Sequence, residues 1–259
     1  MYHAPHADKR RAGAFIYVHP FGDEMNKSRR MAALQARIFS AMGFGVLQMD
    51  LFGCGDSSGE FSEARWDIWK QDLAVAREWL EDRAPGPIGL WGLRLGALLA
   101  LDFVGGTERA IDQVVLWQPV IGGASFLTRF LRLRLANEML AGDTEKPAGT
   151  QAMRGALAAG ETLEVAGYAL TPDLAAAIDR LSAAELAPTT CPVHWLEIVP
   201  EAGRSIPPAA ARVADAWAQC GTDLRIQAIP GPPFWATQEI SECPGLVAAT
   251  AGLFALAAP

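Results

Sequence analysis

Pro87-Ile-Gly-Leu-Trp-Gly-Leu-Arg-Leu-Gly-Ala-Leu-Leu-Ala100 is the stretch that decides the fold. Ile88–Trp91 is a short apolar run bounded by Pro and Gly, the pattern of a strand buried on both faces. Arg94–Val104 then carries apolar residues at helical length. Between them stands Gly92-x-Arg94-x-Gly96, and small residues on both sides of the centre let a strand and a helix close tightly around a strained turn. Such a turn ordinarily presents a serine nucleophile at its centre. Here the centre is arginine.

Outward from this unit, apolar runs alternate with amphipathic stretches. Strands are expected at Ala14–His19, Val46–Asp50, Ile88–Trp91, Val114–Gln118, Val193–Val199 and Leu224–Ile229. Helices are expected at Ser28–Met42, Glu63–Arg83, Arg94–Val104, Pro207–Cys220 and Glu242–Leu256. Alternation of this kind predicts an α/β protein with a doubly wound, mostly parallel sheet flanked by helices. Gly122–Leu186 breaks the rhythm with some 65 residues of helical pattern and no convincing strand. The expected organisation is therefore a core of residues 1–121 and 187–259 with an inserted helical lid at 122–186. Only about a dozen residues precede the first strand, so the antiparallel strands that open many such sheets are expected to be missing.

Composition narrows the function. The 259 residues include 29 acidic and 22 basic side chains, a net charge of −7, and 51% are hydrophobic. Such a chain has ample core material, and its acidic balance argues against a nucleic-acid groove. Cys54, Cys191, Cys220 and Cys243 show no paired spacing, which excludes a zinc ribbon or disulfide framework and fits a reducing cytoplasm. No metal or other cofactor is expected. The first 13 residues lack the apolar segment of a signal peptide, and the longest uncharged apolar stretch, Pro244–Pro259, is 16 residues, too short for a membrane span.

Two flanking loops fit the central turn. Asp50-Leu-Phe-Gly53-Cys-Gly55-Asp56-Ser57 resembles the Asp-x-x-Gly-x-Gly-x-Ser loop of many α/β-hydrolases, and His19-Pro20-Phe21 resembles their oxyanion loop. Longer words go further: His19-Pro-Phe-Gly-Asp-Glu-Met-Asn-Lys-Ser-Arg-Arg30, Trp91-Gly-Leu-Arg-Leu-Gly-Ala97, Trp117-Gln-Pro-Val120 and Pro233-Phe-Trp-Ala-Thr-Gln-Glu239. With the Asp50 loop, they resemble the exosortase A system-associated hydrolases of the second type, from about Ala14 to the C-terminus. That resemblance implies an α/β-hydrolase fold, acyl ester or thioester substrates, and partners in exopolysaccharide and protein-sorting machinery.

The catalytic residues do not follow. In this fold, nucleophile, acid and histidine come in that chain order. Arg94 is no nucleophile, because a guanidinium stays protonated. The acid belongs after Val193–Val199, where Glu201 is the first candidate and Glu197 the second. The histidine belongs in Gly231–Gln238, which has none; the histidines are His3, His6, His19 and His194. Gly55-Asp-Ser57-Ser-Gly59 fits the G-x-S-x-G expression but leads into Glu60-Phe-Ser-Glu rather than an apolar helix, so Ser57 reads as a loop residue. Cys54 has no histidine placed to activate it.

A cation at a helix N-terminus opposes the helix dipole and needs a counter-charge. Glu24, Asp50, Glu201 and Glu239 are the candidates. Arg94 then either plugs a dead site within an ion-pair network or, with helix N–H groups, holds a carboxylate or phosphate. Backbone N–H groups of Phe21 and Leu95 are candidate oxyanion donors. Asn26 is placed beside Glu24 in the pocket, and Ser28 reads as a helix N-cap. Trp117, Gln118, Phe234, Trp235 and Gln238 are placed on loops at the same strand ends. Arg129, Arg132 and Arg134 alternate with apolar residues on the expected lid, as in an amphipathic helix. Two functions fit these residues: an ester or thioester hydrolase reorganised around Arg94, Glu24 and Glu201, or a catalytically inactive homologue that binds a small acidic ligand or a protein partner. A homodimer is compatible with either.

Overall fold

A computed structural model describes residues 1–140 and 149–255, with the backbone alone for 137–140. Residues 141–148 of the expected lid and the last four residues of the apolar C-terminal stretch lie outside the described residues. The strands are β1 (Tyr2–His3), β2 (Gly13–Val18), β3 (Phe44–Gln48), β4 (Ile88–Leu93), β5 (Gln113–Trp117), β6 (Leu163–Val165), β7 (Tyr168–Leu170), β8 (Val193–Val199) and β9 (Leu224–Pro230). The helices are α1 (Asp23–Ala41), α2 (Trp66–Arg83), α3 (Leu95–Gly106), α4 (Gly123–Leu140), α5 (Thr150–Ala158), α6 (Pro172–Asp179), α7 (Pro208–Gln219) and α8 (Pro244–Ala255).

Seven strands form one sheet in the order β1-β3-β2-β4-β5-β8-β9. All neighbours pair in parallel except β1, which runs antiparallel to β3. An antiparallel edge strand is thus present, although only two residues long. From β2 the chain crosses by α1 to β3 on one side, and from β4 it crosses by α3 to β5 on the other. The strand order therefore reverses between β2 and β4, and such a switch point opens a crevice at the carboxyl ends of the strands. β2, β4 and β8 are buried along their whole length, as parallel strands covered on both faces should be.

Chain contacts divide the protein into two compact units. The first comprises Met1–Met49, Asp72–Ile121 and Ala183–Pro259, and the second Asp50–Gln71 with Gly122–Ser182. The first unit holds the sheet and an aromatic core. Phe15, Phe39, Phe44 and Phe254 pack ring on ring, and Tyr17, Trp91 and Trp117 form a chain with centroids 4.5 and 4.7 Å apart. Offset and edge-on aromatic contacts of this kind add stability beyond their buried area. Among the described residues no helix is long and apolar enough to cross a membrane.

Two local expectations are corrected. Helix α1 starts at Asp23, capped by Gly22 at φ 58°, so Ser28 is not an N-cap but a fully buried residue inside the helix. The stretch 122–186 also contains strands: β6 and β7 form an antiparallel hairpin, closed by Ala166 and Gly167, both at positive φ. The positive φ of both central residues is the turn geometry that suits a two-residue hairpin.

Candidate functional site

Arg94 occupies the turn between β4 and α3 with φ 55° and ψ −118°. For a side-chain-bearing residue this backbone costs on the order of 1–3 kcal/mol and persists only where its surroundings impose it. They do so here. Arg94 N–H donates to the Trp117 carbonyl at 3.0 Å, and the Arg94 carbonyl accepts from the N–H groups of Ala97 and Val120 at 3.2 and 3.1 Å. The flanking glycines leave no alternative: a Cβ on Gly92 would lie 2.5 Å from Ala97 Cα, and one on Gly96 would lie 2.3 Å from the carbonyl oxygens of both Val18 and His19. The end of β2 and the start of α3 are thereby drawn into backbone contact.

Gln118, the residue after β5, is a second non-glycine at positive φ, 43°. Its N–H donates to the Leu196 carbonyl at 2.9 Å. Two strained residues thus lie next to one another at the strand ends, the usual setting of functional strain.

Arg94 is 9% exposed. Its Nε and Nη2 both reach Glu24 Oε1 at 3.4 Å, and Nη1 reaches the Gln118 carbonyl at 3.3 Å. Its Cζ lies 5.1 Å from the Trp235 ring centroid, within the range of a cation–π contact. Glu24 comes from the first turn of α1 and Trp235 from the loop after β9. Behind Arg94, the Gln118 side chain is held at both ends: Nε2 donates to Glu197 Oε1 at 2.8 Å, and Oε1 accepts from Ile198 N–H. Glu197 is itself buried, and its Oε2 accepts from Trp195 Nε1 at 2.8 Å. Burial raises the Glu197 pKa, while the hydrogen bonds from Trp195 and Gln118 and the Arg94 charge pull it back.

The other expected site residues are distributed as follows. Phe21 and Leu95 are buried, Phe21 just before α1 and Leu95 as the first residue of α3. Glu201 is exposed and paired with Arg204 at 3.0 Å, so Glu24, not Glu201, is the carboxylate bonded to Arg94. It lies on the loop beyond β8, where Arg204 is its i,i+3 partner. Asn26 is exposed and accepts from Arg29 Nε at 3.5 Å, on the outer face of α1. Gln238 and Glu239 are exposed. Trp117 belongs to the aromatic core rather than a loop: it is fully buried, and its Nε1 donates to Thr250 Oγ1 at 2.9 Å. Asp50 lies in the second unit, where its Oδ2 accepts from Asp56 N–H at 2.9 Å. Ser57 N–H donates to the Cys54 carbonyl at 3.0 Å within a loop. His194 is buried in β8 beside Phe254, and His19 turns its Nδ1 to the Pro20 carbonyl at 2.8 Å. Glu197 is the residue that sequence reasoning underrated. Its signal was a carboxylate inside an otherwise apolar strand, since such a group is almost never buried unpaired. Among the described residues no cluster of His, Cys, Asp and Glu could hold a metal ion.

Solved structures share this architecture. Est1E from Butyrivibrio proteoclasticus with bound ferulic acid is 14% identical, at a TM-score of 0.72, over 99% of this chain and 93% of that one. A highly thermostable carboxyl esterase from Bacillus coagulans in complex with glycerol is 14% identical, at 0.62, over 98% and 92%. An α/β serine hydrolase without lid from Xanthomonas campestris is 14% identical, at 0.56, over 100% and 88%. At that identity the likeness shows the α/β-hydrolase fold. No curated protein sequence matches the chain. Residues 9–206 match the profile of the Hydrolase_4 family, serine aminopeptidase S33, and the chain belongs to that family.

Proposed function

We propose that this protein binds the acyl or carboxylate part of an anionic ligand at Arg94 and forms no acyl-enzyme. One observation carries this reading: the residue at the strained turn of the crevice is a guanidinium, fastened by Glu24 and the Gln118 carbonyl and set against Trp235. Nucleophilic catalysis needs a hydroxyl or thiol within hydrogen-bond reach of an activating base. None of the side chains bonded to Arg94 is such a group. A guanidinium does suit an anion, through charge-assisted hydrogen bonds that are roughly twice as strong as neutral ones. The N–H groups of Phe21 and Leu95 are proposed as further donors to the bound group. The resemblance of its sequence words to exosortase-associated hydrolases supports exopolysaccharide and protein-sorting machinery as its setting. Among the described residues its four cysteines form no disulfide, which supports a reducing compartment, the cytoplasm.

A second reading is hydrolysis of an ester or thioester by water, with Glu24 as general base and Arg94 stabilising the oxyanion. The direct contact of the Glu24 carboxylate with Arg94 favours it, because base and oxyanion cation would stand side by side. The test is a panel of short and long acyl esters and thioesters, with protein free of host esterases, comparing wild type with Arg94→Ala and Glu24→Ala. The binding reading predicts no turnover and no labelling by a fluorophosphonate. Turnover that drops about a hundredfold in either variant, as on losing an oxyanion donor or base, would replace it with the second.

A further inference from the structure

We infer that Glu24 is a resident occupant of the Arg94 site, standing where the carboxylate of a chain-bearing monoanionic ligand binds and leaving when that ligand arrives. This rests on the reading of Arg94 as an anion site.

The geometry of the pair is the first support. Glu24 offers one oxygen to two guanidinium nitrogens, each at 3.4 Å. A committed arginine–carboxylate pair is shorter, about 2.7–2.9 Å, and commonly uses both oxygens. Exposure is the second: the Glu24 side chain is 23% accessible against 11% for Arg94, so Glu24 is the more exposed partner, and its second oxygen is buried without a hydrogen bond. The third is that Arg94 does not depend on Glu24 for its orientation. The Gln118 carbonyl and the face of Trp235 hold the guanidinium from other directions, and Gln118 is itself fixed by Glu197 and Ile198. Removing Glu24 would leave a charged donor already aimed.

Charge selects the ligand class. Arg94 meets Glu24 directly and Glu197 through Gln118, two carboxyl groups. A carboxylate that replaces Glu24 exchanges one negative charge for another, whereas a phosphate dianion would add charge beside Glu197. The buried indole of Trp235 against the guanidinium suits the first carbons of an alkyl or acyl chain. A short-chain carboxylate meets both conditions.

Hexanoate is the probe, titrated calorimetrically into the full chain as wild type, Glu24→Gln, Glu24→Asp and Arg94→Met, with thermal melts to confirm folding. Glu24→Gln is expected to bind hexanoate at least about tenfold more tightly than wild type. Glu24→Asp, whose shorter side chain retreats from Arg94, is expected to lie between, and Arg94→Met to show no binding. Hexanol should gain nothing from Glu24→Gln. Asp23→Asn is the control for a general charge effect, since Asp23 is the neighbouring acid, exposed and paired with Lys27 at 2.9 Å. An equal gain with Asp23→Asn would overturn the inference. Equal affinity of wild type and Glu24→Gln, abolished by Arg94→Met, would overturn it while leaving the anion site intact. Phosphate binding to Glu24→Gln without hexanoate binding would overturn the ligand class. Failure of all variants to bind either anion would overturn both the inference and the reading beneath it.

Discussion

Arg154 in the helical unit and Arg94 in the sheet unit each meet a carboxylate, but on different terms. Arg154 Nη1 lies 2.6 Å from Asp179, while Nη2 lies 2.6 Å from the Ala124 carbonyl and 2.9 Å from Thr128 Oγ1. It binds α4, α5 and α6 together with short contacts, although its side chain is 32% exposed. Arg94 is far more buried, yet its contacts are all 3.3 Å or longer. Desolvating a guanidinium without short hydrogen bonds brings little stability. Arg154 therefore serves the fold. Arg94, without tight pairing, is the one proposed to serve a ligand.

Four measurements would break or sharpen that contrast. The largest effect should come from neither arginine but from the turn that presents Arg94. Gly96→Ala drives a Cβ to 2.3 Å from two carbonyl oxygens, and overpacking against backbone should lower unfolding free energy by about 3 kcal/mol in a denaturant titration. A loss below about 1 kcal/mol would mean that the turn is more yielding than its contacts indicate.

Arg154→Ala should cost about 1–2 kcal/mol, the net value of three hydrogen bonds discounted for partial exposure. Faster amide exchange in α5 and α6 would locate the loss. The double variant Arg94→Met with Glu24→Gln should change stability by less than about 1 kcal/mol, as exchange of a buried pair for neutral groups is often nearly neutral. A larger loss than that of Arg154→Ala would reverse the assignment of roles.

The smallest effect is a pH dependence within β8. Burial, and then the charge of Arg225, hold the His194 pKa below its ordinary value, against the opposing charge of Asp223. The folded state thus takes up this proton less readily than the unfolded chain, and stability should fall as pH drops below about 6.5, the ordinary histidine value. Glu197 has the opposite sign. Its pKa is raised by burial, so its ionised form is penalised in the fold and stability should rise as pH falls through its folded pKa. Melting curves from pH 8 to 5 should show His194→Phe removing the acid-side loss and Glu197→Gln removing the gain. Unchanged profiles in both variants would show that neither group titrates differently in the folded chain.

The sheet was largely legible because it is written in runs of apolar residues. Val193–Val199 is a strand at both of its expected ends, and Gly92 and Gly96 marked the turn because no other residue fits there. The β6–β7 hairpin was not legible. Each strand has three residues, and Ala166-Gly167 lacks the Asn-Gly or Asp-Gly signal of a tight hairpin. Ser28 looked like a cap because serine favours helix starts, but nothing local reveals that Gly22 and Asp23 begin the helix earlier. At the site, the elements were foreseeable and the pairings were not. Which carboxylate reaches Arg94 depends on where α1 and the loop after β8 come to lie. That distance sets Glu24 against Arg94 and sends Glu201 to Arg204.

The backbone of the Arg94 turn has a consequence for how such a protein could change over generations. Its shape is imposed by Gly92, Gly96 and backbone hydrogen bonds to the Trp117 carbonyl and from the Val120 and Ala97 N–H groups, none of which involves the side chain at 94. That side chain can therefore be exchanged without rebuilding the scaffold. Chemistry is not so easily regained. A serine at 94 alone would lack the histidine expected of a triad, because Gly231–Gln238 contains none, and a histidine there alone would have no hydroxyl to activate. Both substitutions are needed before selection for turnover could favour either. On the proposed reading of Arg94 as a binding residue, a triad at this turn would therefore require two substitutions that bring no gain one at a time.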